Sequence, residues 1–75
     1  MEKIELAENF VLVESEDLKE KLDMYDREKA YYVKKNNEVK GSVSIWEDGT
    51  MNYFDYKADN DFDIKDLEEI IEICQ

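Results

Sequence analysis

A small single-domain α+β fold is what this sequence predicts: a three- or four-stranded antiparallel meander, with one helix before it and a C-terminal amphipathic helix packed on it, in the order β-α-β-β-β-α. Three observations point there. Strand-like runs at Ala30 to Lys35, Val39 to Trp46 and Met51 to Lys57 are separated only by Asn36-Asn37 and Asp48-Gly49, residues that accept the positive φ of tight hairpins. Ser15 stands where a helix N-cap belongs, followed by Glu16 and Asp17 in the first turn, where the helix dipole favours negative charge. Near the C-terminus, Ile64, Leu67, Ile70, Ile71 and Cys74 recur at helical spacing, with Lys65, Asp66, Glu68, Glu69 and Glu72 on the remaining arc.

The individual elements follow in order. Asn9 to Glu14 is a short apolar run rich in β-branched residues and reads as a buried strand, with Lys3 to Leu6 as a further short strand before it. Leu18, Leu22 and Tyr25 place a helix from Glu16 to about Tyr25. In the meander, a two-residue Asp48-Gly49 turn pairs Trp46 with Met51, Ser44 with Tyr53 and Val43 with Phe54. Val39, Gly41, Val43, Ile45, Phe54 and Tyr56 then form the core face, and Ser42, Ser44, Trp46, Met51, Tyr53 and Asp55 the other. Trp46 on that second face is either covered by a helix or the N-terminal segment, or presented to a partner. Asp63 is the expected cap of the last helix, with Phe62 and Leu67 at the spacing of a hydrophobic staple.

Composition narrows the function classes. The 75 residues allow one domain, and one tryptophan, five tyrosines and three phenylalanines argue for a packed interior. There is no histidine and one cysteine, Cys74, so the usual zinc sets, the usual neutral-pH base and an internal disulfide are all missing. Cys74 has no evident activating group and reads as a filler of the helix stripe. The start Met1-Glu2-Lys3-Ile4-Glu5 does not read as a signal peptide, and no apolar run approaches the roughly 18 residues of a membrane span, so a cytoplasmic location is expected.

Motifs for chemistry are sparse. Asp59, Asp61 and Asp63 alternate as at the start of a calcium loop, but Ile64 and Ile70 stand where that loop needs glycine and glutamate, so no metal is assigned. The two glycines have turn or strand explanations, no carboxylate pair is singled out for acid/base work, and neither an enzyme nor a cofactor is expected. Tyr31, Tyr32, Lys34 and Lys35 form a fragment of a nucleic-acid platform, opposed by the net charge of −11.

Charge is the remaining signal. Residues 44–75 carry ten carboxylates against two lysines, a balance of −8 within the total of −11. Such a surface repels nucleic acid and anionic membranes and attracts basic clefts. Glu47, Asp48, Asp55, Asp59, Asp61, Asp63, Asp66, Glu69 and Glu72 are therefore the expected partner-binding acids, with Trp46 and Tyr53 as aromatic anchors. Glu68, Glu69 and Glu72, placed at a helix end that prefers cations, suggest acid kept for use. In size and charge profile the chain resembles the small acidic anti-defence proteins of bacteriophages, anti-CRISPR and anti-restriction proteins among them. That resemblance implies a stoichiometric inhibitor that blocks a basic nucleic-acid-binding protein by imitating DNA or RNA, acting as a monomer or homodimer. The alternative is a small interaction or immunity-type protein that neutralises a basic partner without imitation.

Overall fold

The computed structural model describes residues 3–21 and 27–74. They form one antiparallel sheet of six strands and two short helices: β1 (Lys3–Ala7), β2 (Phe10–Glu14), α1 (Glu16–Lys21), β3 (Arg27–Lys35), β4 (Glu38–Trp46), β5 (Met51–Asp55), β6 (Asn60–Ile64) and α2 (Glu69–Ile73). The strands lie in sequence order, so the sheet is a continuous meander of six strands where three or four were expected. The added strand at the C-terminal edge is β6. Its residues, Asn60-Asp61-Phe62-Asp63-Ile64, alternate polar and apolar with period two, which sets Phe62 and Ile64 inward and the aspartates outward. Asp63 is thus a strand residue and caps no helix, and Phe62 belongs to the sheet and not to a staple.

Tight turns hold the meander. Asn36 and Asn37 both adopt left-handed φ, at 51° and 68°, between the paired residues Lys35 and Glu38, as a two-residue hairpin of the expected kind. Glu8-Asn9 closes the first hairpin with Asn9 at φ 71°, and its carbonyl accepts a hydrogen bond from the Asn36 N–H at 2.9 Å. The β4–β5 connection departs from expectation. Trp46 exchanges hydrogen bonds with Thr50 and Gly49, which makes the loop three residues long, Glu47-Asp48-Gly49, with Gly49 at φ 91°. That is the form in which a turn is followed by a left-handed glycine.

This longer loop slips the register by one residue, and one residue of slip turns every side chain of β5 over. Val43 pairs with Tyr53, and Ser44 with Asn52. Tyr53 therefore lies on the core face, fully buried, while Phe54 faces the other side and Tyr56 sits exposed in the next turn. The β4 half of the expected core face stands for Gly41, Val43 and Ile45; Val39 is exposed, because the β3–β4 pairing shifts between Val33 and Lys34.

One core gathers on the sheet face that α2 covers. Phe10, Leu12, Tyr31, Val33, Val43, Tyr53 and Ile64 meet Ile70, with Leu67, Ile71, Ile73 and Cys74 packed around them. The helix is shorter than its apolar stripe suggests, five residues starting after Glu68, since β6 uses the chain up to Ile64. A smaller cluster on the opposite face joins Leu18 of α1 to Ala30 and Tyr32. Ser15 caps α1 as expected, its Oγ accepting the Leu18 N–H at 3.1 Å. Leu22 and Tyr25, expected on the same helix, lie outside the described residues. Among the described residues, no helix is long and apolar enough to cross a membrane.

Candidate acidic interaction surface

The sheet distributes the predicted acids over distinct places. Asp61 and Asp63 alternate along edge strand β6 on the face away from the main core, so their Cα atoms are about 6.5–7 Å apart. Between them stands Asn52 of β5. Its side-chain amide donates to Asp61 Oδ2 at 3.3 Å and to Asp63 Oδ1 at 3.2 Å, using both of its hydrogens. One neutral group thus bridges two exposed carboxylates without compensating their charge. Asp59 continues the acid at the β5–β6 turn, held at φ 53° in the left-handed region that Asp tolerates.

At the other end of β6 the acid continues into the β4–β5 loop. Trp46, Glu47, Asp48, Thr50, Met51 and Asp63 line an open recess there, together with Gly49, Ile64 and Lys65. Four of the predicted site residues, Trp46, Glu47, Asp48 and Asp63, are therefore brought together. Asp48 accepts from the Thr50 N–H at 3.0 Å and from its hydroxyl at 2.7 Å. These bonds, the backbone one foremost, hold its carboxyl below the usual aspartate value.

Other predicted acids serve the fold. Asp55 accepts from the Tyr53 hydroxyl at 2.9 Å and from the Ala58 N–H at 2.8 Å, which ties the rim of the core to the following turn. Asp66 accepts from the Glu68 N–H, and Glu69 takes the Lys65 and Asp66 N–H groups on one oxygen at 2.6 and 2.8 Å. Glu68 is the N-cap residue of α2 and Glu69 lies in its first turn, so they meet the favourable end of the helix dipole. The expected stability penalty at these two positions therefore does not exist, and it lends no support to a functional role. Glu72 remains exposed on α2.

Tyr53 is no surface anchor. It is fully buried and hydrogen-bonded to Asp55 and, at 3.2 Å, to Cys74 Sγ, so its ring is a core element and unavailable as a surface anchor. Burial, then the Cys74 and Asp55 contacts, push its hydroxyl well above the ordinary tyrosine value. Trp46 is half-buried beside the recess. Asn52 is the site residue that sequence reasoning missed; the alternation of β6 is the signal that would have paired it with Asp61 and Asp63. No protein-family model, no curated protein and no solved structure matches the chain.

Proposed function

We propose that the chain is a stoichiometric protein-binding inhibitor that occupies a basic, nucleic-acid-binding surface of its partner. The observation that carries this reading is the Asn52 clamp, which bridges Asp61 and Asp63 and presents them side by side on the exposed sheet face. Prepositioned carboxylates lose less freedom on binding than mobile ones, and a basic groove that tracks phosphates attracts them through the same positive potential that attracts DNA. Asp59 on one side and Glu47 and Asp48 on the other lengthen the acidic track along the sheet edge.

The test is capture on the immobilised chain from lysate of the source organism, with salt steps and competition by DNA and RNA. A nucleic-acid-binding protein eluted by salt and displaced by nucleic acid is the expected result. A ternary complex, with nucleic acid and this chain bound together, would sink the imitation of DNA or RNA. The recess beside Trp46 favours a second reading, in which a basic partner is neutralised through side-chain fit and nucleic acid does not compete.

A further inference from the structure

We infer that β1 is a self-association edge, along which two copies of this chain pair antiparallel about a two-fold axis at Ile4. Among the described residues, no strand pairs with the outer side of β1. The hydrogen bonds that flank β2 fix which backbone groups stand free there. The Asn9 carbonyl accepts from the Asn36 N–H and the Ser15 N–H donates to the Ala30 carbonyl, so the odd-numbered residues of β2 turn their groups towards β3. Leu12 therefore turns towards β1, where it meets Ile4, and alternation sends the N–H and C=O groups of Lys3 and Glu5 outward.

Charge selects the register. Outward groups must meet outward groups, so the axis falls on a residue, and at Lys3 or Glu5 it sets like charges opposite each other. At Ile4 it sets Lys3 of each copy opposite Glu5 of the other, and both of these side chains are exposed. The two half-buried isoleucines then meet on the core face and carry the apolar layer from one copy to the next. The other open edge does the reverse, since pairing β6 with itself about Phe62 sets Asp61 opposite Asp63. That edge lies five strands from β1, roughly 24 Å at the usual strand spacing, so the acidic edges of the two copies stand far beyond the screening length of about 8 Å. The register shift between Glu5 and Ala7 ends the regular strand, which leaves Lys3, Ile4 and Glu5 to pair. Such an interface is small beside the roughly 1,200–2,000 Å² of stable complexes, so the dimer is weak and forms with concentration.

The experiment is analytical ultracentrifugation of the full chain at physiological ionic strength, from about 10 μM to about 1 mM, the range of a weak complex. The amides of Lys3, Ile4 and Glu5 are followed by NMR over the same range. A reversible monomer–dimer equilibrium is expected, with concentration-dependent shifts centred on those three amides. Lys3→Glu and Glu5→Lys, each confirmed as folded by circular dichroism, should each weaken it about tenfold, because each sets like charges opposite each other. Mixed in equal amounts, the two variants should pair with each other about as well as the unmodified chain pairs with itself, since opposite charges face again. A chain that stays monomeric to about 1 mM overturns the assignment, as does a mixture that associates no better than either variant alone, or a dimer whose shifts map to β6. The pairing uses none of the acids on the β6 edge, so its failure leaves the partner-binding reading in place, and a chain that dimerises without capturing a partner leaves the pairing in place.

Discussion

The Tyr53 ring occupies the place where a side chain of Gly41 would begin: a Cβ built on the glycine comes within 2.8 Å of the ring's Cε1 and hydroxyl oxygen, and into the Phe54 carbonyl oxygen. Neither obstacle can move freely, since the tyrosine is fully buried and the carbonyl belongs to the neighbouring strand. Gly41→Ala should therefore destabilise the fold by about 2–3 kcal/mol or more, as overpacking of a tight core does. Urea unfolding followed by far-UV circular dichroism measures it. A loss below about 0.5 kcal/mol, the range of an innocuous surface change, would mean that the ring is not held against the glycine.

Gly49 is a glycine of the opposite kind. No atom lies within 4 Å of a Cβ built there, and the demand is only its φ of 91°. Gly49→Ala should cost about 1–2 kcal/mol, the usual penalty for a left-handed L-residue, with the register of β4 and β5 kept. The two alanine variants thus separate steric from conformational need, and a larger loss at Gly49 than at Gly41 would contradict the assignment. Backbone amide shifts of Val43 and Tyr53 report the register directly.

The same pair of glycines explains what was legible in the sequence and what was not. Ser15, Asn36-Asn37 and the β2, β3 and β4 runs act through local chemistry, so their places could be read from the sequence, although β3 begins at Arg27, three residues before the expected Ala30. The β4–β5 loop could not, because an Asp-Gly pair fits both a two-residue turn and the last two positions of a three-residue one. That single ambiguity moved Tyr53 from the core to the surface in the expected fold, and hid Asn52. At the C-terminal end, Ile64, Leu67, Ile70, Ile71 and Cys74 do pack together, but strand pairing with β5 outcompetes helix propensity up to Ile64. Of the candidate site, the concentration of acid was visible in the sequence, while the difference between acids that bond the fold and acids presented outward depends on tertiary pairing.

The Asn52 clamp makes a modest and measurable contribution. Asn52→Ala removes two hydrogen bonds to exposed carboxylates, and exposure limits their worth, so a loss of about 0.5–1.5 kcal/mol is expected. The loss should shrink in high salt, because the two aspartates released by the mutation then repel each other less. Chemical denaturation with urea at low and high sodium chloride checks both parts. A loss that grows with salt would show that the clamp does not act by restraining like charges.

Tyr53 gives the fold an alkaline limit. Its hydroxyl is buried and bonded to Asp55 and Cys74, so in the folded chain it keeps its proton to a higher pH than in the unfolded chain, where it titrates near 10. Above that value the unfolded state binds fewer protons than the folded one, and linkage makes stability fall as pH rises; below it the contribution is fully present. Stability measured with urea should decline from about pH 10 upward, beyond what the other tyrosines produce. Tyr53→Phe should flatten that decline, while lowering stability at neutral pH by about 1–2 kcal/mol for the lost hydrogen bonds and the partners left behind. If the variant shows the same alkaline slope as the unmodified chain, the loss of stability arises elsewhere, and the Tyr53 hydroxyl is not the group that the core holds protonated.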